Sequence, residues 1–187
     1  MKESLKITGA SILAAILYGI AQDMVTVRVS LEYFTAGHPN VFNTANPTVL
    51  ALGWGVIASW WAGLILGLCL SVAAQYGPRV RLRLVDIAAP ACMLIVIVGT
   101  CTAVAGELAF RYLGSCVRSP LFLSADEAFA WSDNQCARFA AAACAHTVTY
   151  LTACVGGLVL CVRTWRIRPA KISRSEKQDN IMSKEIP

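Results

Sequence analysis

The sequence predicts an all-α fold, a four-helix transmembrane bundle with both termini on the cytoplasmic side (N-in/C-in), and three observations lead there. Of the 187 residues, 57% are hydrophobic and only 14% charged, against roughly 25% charged in an average soluble domain. The apolar residues form long uncharged blocks rather than the stripes of half-buried elements, and about 20 apolar residues are what a helix needs to cross a bilayer. The basic residues collect on alternate sides of those blocks. Lys2 and Lys6 precede the first, Arg79, Arg81 and Arg83 follow the second, and seven Lys or Arg residues from Arg163 onward follow the fourth. Only Arg28, Arg111, Arg118 and Arg138 fall on the other side. Short basic loops stay in the cytoplasm, which fixes the orientation.

The expected spans run over about residues 7–27, 48–74, 87–110 and 139–162. Residues 1–168 then make one membrane domain, and residues 169–187 a polar, disordered cytoplasmic tail. The net charge of +5 is placed as a topogenic signal that touches anionic lipid, not as a nucleic-acid surface. The first block also fits a secretory signal peptide, with Lys2 and Lys6, an apolar run from Ile7, and the small pair Gly19 and Ala21. Against cleavage, Ser11, Ala15, Gly19 and Asp23 recur every four residues and form one helix face. The second span repeats this with Gly55, Ser59, Gly63, Gly67 and Ser71, and the fourth with Ala141, Ala145, Thr149, Ala153 and Gly157. Such faces let helix backbones approach closely in lipid. They serve packing within one chain, a homo-oligomer, or docking to a membrane complex.

Ionisable groups inside spans are costly and mark candidate sites. Asp23, Glu107 and His146 stand at similar depth below the outer surface. Two carboxylates and an imidazole at one level can ligate a metal, relay a proton or hold a polar ligand. The plainer alternatives are a Glu107 to Arg111 pair, a His146 hydrogen bond to Tyr150, and an interfacial Asp23. No His-x-x-x-His or Cys-x-x-Cys spacing occurs, which weakens the metal version. The first outer loop adds Arg28, Glu32 and His38; continued helix past Asp23 would place Arg28 and Glu32 one turn apart and paired. Trp60 and Trp61, near the middle of the second span, either pack in the bundle or face this cluster from below. Most cysteines read as small apolar packers. Cys116 and Cys136 share the second outer loop and are a candidate disulfide.

The run Asp23-x-Val-Thr26-x-Arg28-x-x-x-Glu32-Tyr33-Phe34-Thr35-x-x-His38-Pro39 resembles a group of uncharacterised bacterial four-span integral membrane proteins. The resemblance extends through Pro47 to Gly55 with Trp60 and Trp61, and through Ala145-His146, Tyr150 and Gly156-Gly157-Leu158. It implies a multi-pass protein of a bacterial inner membrane, and that Asp23, Arg28, Glu32, His38 and His146 belong to one pattern. Glu107 and the cysteines lie outside that pattern. The resemblance brings no activity and no cofactor.

The expected function is an outward-facing polar site for a small ion, metal or polar ligand, made by Asp23, Arg28, Glu32, His38, Glu107 and His146. The alternative is a structural or accessory subunit with no ligand site. An intramembrane enzyme has the least support, because no nucleophile and base stand at interpretable spacing. Orientation is directly testable. Reporter fusions after Ala74 and after Arg168 should report cytoplasm, and one between Pro120 and Trp131 the outside. A tail reporting the outside would reverse every depth assignment above.

Overall fold

A computed structural model describes residues 2–114 and 131–169. Every regular element in them is helical: α1 (Lys2–Val29), α2 (Leu31–Thr35), α3 (Pro47–Ile57), α4 (Trp60–Gln75), α5 (Leu84–Tyr112) and α6 (Asp133–Arg166). Four stretches are long and apolar enough to cross a membrane: α1, α3 with α4, α5, and α6, of 28, 29, 29 and 34 residues. The chain is a multi-pass membrane protein in that sense. At 1.5 Å per residue a helix of this size measures about 42 Å, which covers the headgroup layers as well as the hydrocarbon. Each helix therefore carries its polar ends out to the interface, beyond the apolar block that predicts it.

Local chemistry sets the boundaries. Asn46 accepts from the N–H groups of Thr48 and Val49, and Pro47 opens α3 with a φ already helical. Ser132 and Gln135 form a reciprocal capping box at the start of α6. Ser30 leaves helical geometry (φ −142°, ψ 107°), ends α1, and turns its hydroxyl to the Tyr33 N–H as the cap of α2.

The helices pack as two pairs. α1 lies against α3 and α4, α5 lies against α6, and α4 with α6 joins the pairs, while α1 and α5 scarcely meet. The first pair is held by the small-residue faces. A Cβ on Gly55 would sit 2.6 Å from the Ile20 Cα, one on Gly63 2.7 Å from the Ser11 carbonyl oxygen, and one on Gly67 2.8 Å from the Thr8 Cα. Backbone therefore rests on backbone, and these two faces are used within the chain. Beside them Thr8 and Ser71 share a hydrogen bond of 3.0 Å, and Ser71 donates to the Ser4 carbonyl.

The second span is broken at Ala58 and Ser59. Its Ser59 hydroxyl bonds back to the Gly55 carbonyl and its N–H goes to Val56, so the ladder slips and restarts at Trp60. Back-bonding by serine is a known cause of helix bends. The Ala58 carbonyl accepts instead from the Tyr150 hydroxyl of α6, at 2.9 Å. Trp60 and Trp61 lie on the bundle exterior, Trp61 stacked on Tyr150 at 6.0 Å, so they do not face the polar cluster.

At the end carrying Lys2 and Arg168 the chain is tied by one guanidinium. Arg168, 2% exposed, donates to the carbonyls of Ala73, Tyr76, Val80 and Arg79. Arg79 and Arg168 both approach the Trp165 ring at 5.3 Å. The turn beneath it uses Gly77 at φ +85°, a conformation open to glycine.

Filling the α1 contact should be costly. Gly63→Leu drives a side chain into the α1 backbone and is expected to destabilise by at least about 1–3 kcal/mol, read as a lower thermal midpoint by thiol-reactive dye. Gly9→Ala, with nothing within 4 Å of its added Cβ and glycine's entropic cost removed from a helix interior, should not lower the midpoint.

Candidate functional site

The last two turns of α1 bury Asp23 with Thr26 and Val27, which lie three and four residues from Asp23 and so share one helix face with it, and Ser30, just past the helix end, is buried beside them. Opposite stands His146 on α6. Its Nε2 lies 3.5 Å from Asp23 Oδ1 and 3.2 Å from Thr26 Oγ1. The Asp23 side chain is 4% exposed and that of His146 15%. The threonine contact has ordinary hydrogen-bond length, while the carboxylate distance is that of an ion pair. Asp23 and His146 are thus brought together inside the bundle.

α2 lies over this pair. Tyr33 stacks on the His146 ring, centroids 4.8 Å apart, and meets His38 edge-on at 4.8 Å. The Tyr33 phenol is pushed up by burial, aided by Asp23 and Tyr150, so it stays protonated. His38 Nδ1 is 2.8 Å from the Tyr33 carbonyl oxygen, to which it donates, which leaves Nε2 as the acceptor of the neutral ring. His38 also packs at 4.7 Å on Trp54. His38 therefore joins the site through an aromatic wall rather than by contact with Asp23.

The remaining candidates stand apart. Glu32 accepts from Ser30 Oγ (3.1 Å) and Gln135 Nε2 (3.2 Å), which ties α2 to α6. Arg28 is exposed and curls back onto the Met24 carbonyl. The Arg28 to Glu32 pair does not form, because Ser30 breaks the helix between them and the one-turn spacing no longer holds. Glu107 pairs with Arg111 at 2.6 Å on the exterior. Among the described residues no group of three or more His, Cys, Asp or Glu side chains is placed to hold a metal. Cys136 is buried beside Phe139 and Ala140. Cys116, its expected partner, and the tail beyond residue 169 lie outside the described residues.

Sequence reasoning missed a polar ladder below the pair. The Thr149 hydroxyl donates to Gln22 Oε1 (2.9 Å), Thr102 and Thr149 share a bond of 2.6 Å, and Tyr18 reaches Thr102 at 3.4 Å. Tyr18 and Gln22, one turn apart within a span, were the available signal. Comparison with protein-family profiles, curated proteins and solved structures finds no match to this chain.

Glu32 gives a pH test. Burial raises its pKa, but hydrogen bonds from its own backbone, Gln135 and Ser30, with the charge of Arg138, outweigh that and hold it below the ordinary range. A carboxyl with a lowered folded pKa adds stability above the unfolded value, about 4.3, and loses it as pH falls through the folded one. The thermal midpoint of the wild type should exceed that of Glu32→Gln at neutral pH, and the gap should close below the ordinary glutamate range. A gap independent of pH would show that Glu32 acts only through packing.

Proposed function

We propose that this chain is an inner-membrane protein of bacteria, N-in/C-in, whose Asp23 and His146 form an outward-facing site for a small cation or polar ligand, a proton being the smallest. The orientation rests on the basic loops, and the bacterial setting on the sequence pattern from Asp23 to Pro39. The single observation that carries the site is the 3.5 Å approach of Asp23 to His146, both enclosed by the bundle.

The chemistry follows from the pair. A carboxylate in a low-dielectric interior is stable only beside a cation or strong donors, or protonated. His146 can supply the charge when it holds two protons, and Thr26 the hydrogen bond. A cationic ligand takes the place of that charge and lets the imidazole stay neutral. Uptake of ligand and release of a proton are then linked. The donor set, two titratable groups and a hydroxyl, suits a proton or an ammonium better than a transition metal, which asks for more nitrogen or sulfur ligands. The accessory-subunit alternative would need free small-residue faces, and those of the first two spans are spent on each other.

Infrared difference spectroscopy on a pH step tests this. The wild type should give a carboxyl C=O band that vanishes in Asp23→Asn and moves in frequency in His146→Ala, with membrane insertion unchanged in both. A protein in which neither substitution alters the carboxyl bands across the pH range of the folded state has no working pair, and the accessory-subunit reading would replace this one.

A further inference from the structure

The scarce contact between α1 and α5 leaves a cleft of about 450 Å³, bounded by α1, α5 and α6. Its size is in the range of small-molecule sites. The walls are mostly apolar, with Val25 and Phe110 63% and 40% exposed and the Arg111-paired Glu107 at the rim, so the cleft opens sideways between two spans towards lipid. Its back is different. Tyr18, Gln22, Thr26 and Thr102 line it, the members of the polar ladder together with the threonine that bonds His146. The Gln22 Nε2, itself covered, has no hydrogen-bond partner among the described residues.

An unsatisfied buried donor is costly, and the terminal torsion of glutamine is broad and two-fold. A small turn of the Gln22 amide therefore offers a donor to a carbonyl entering the cleft, and turning it over offers an acceptor to a hydroxyl. Thr149 tolerates both, because a hydroxyl donates or accepts. Depth narrows the ligand. Thr102 stands four residues from the midpoint of α5 (Leu84–Tyr112), which at 1.5 Å per residue puts the polar back about 6 Å along the axis from the middle of the span. That is deep in the hydrocarbon, below the level at which a phospholipid carries its esters. A matching ligand has its own polar atoms on a small ring that can travel within the membrane core, attached to a hydrocarbon chain that leaves through the side.

We infer that this lateral cleft binds an isoprenoid quinone, the ring at Gln22 and Thr102 and the prenyl chain passing Ala103 and Phe110 into the bilayer. The carbonyl of the oxidised ring meets the Gln22 donor, and the hydroxyl of the reduced ring meets the same amide turned over. Thr26 places the ring beside the Asp23 and His146 pair, yet binding does not need that pair.

The test uses the full chain in nanodiscs and a photoreactive azido-benzoquinone bearing one isoprene unit. Label should appear on peptides of α1 and α5 and be competed by the unlabelled quinone. It should fall at least tenfold in Gln22→Leu, which removes the amide, and in Ala103→Phe, which fills the mouth from an exposed position and breaks no hydrogen bond. Equal labelling of the wild type and both variants, or label spread over all spans, would overturn the inference. So would native mass spectrometry in which a diacyl phospholipid remains bound to the wild type, is lost in Ala103→Phe, and resists the quinone. The carboxyl band of Asp23, read in the same variants, keeps this outcome separate from that of the polar site.

Discussion

Contact between the backbones of α1 and the second span is the constraint on which the rest depends. In lipid no hydrophobic force pulls helices together, so close packing must do it. Gly55, Gly63 and Gly67 give α1 a surface without side chains, and Thr8, Ser11 and Ile20 fill it. This fixes both the translation and the rotation of α1. With Gly19 turned to Gly55 and Ser59, Gln22 and Asp23 one turn on and Thr26 two turns on face α6 rather than lipid. A shift of α1 by one residue would turn Asp23 through about 100° and dissolve the pair.

The two ends of the bundle are built differently. At the Arg168 end, one guanidinium gathers four carbonyls, and Trp165 packs between the arginines. At the other end the order rests on α2, five residues long, hinged at Ser30 and held by Glu32 and by stacked rings. The candidate site lies beneath this lighter cover. A site that must exchange with water is better placed there than under the arginine staple.

Much of the architecture was legible because hydropathy reads long spans well: the blocks from Ile7, Pro47, Ile87 and Phe139 each became a membrane-length stretch. Depth alone also matched Asp23 with His146, since two ionisable groups at one level in a bundle tend to find each other. Three features were not legible. Ser59 read as one more small residue of a stripe, although its hydroxyl competes with the backbone and breaks the span. Arg28 and Glu32 have helical spacing, but Ser30 prefers to cap α2. Thr102 and Thr149 look neutral in an apolar run, and only the fold brings them to within 2.6 Å.

The break at Ala58 has a consequence for biogenesis. Spans enter the bilayer in the order of synthesis, and the phenol that takes up the Ala58 carbonyl belongs to the last of them. Until α6 arrives, that carbonyl faces hydrocarbon with no partner from its own helix, a cost of several kcal/mol. The second span therefore carries that unpaired carbonyl while more than 70 further residues are made. Its hydrogen bonding is complete only when α6 is in place.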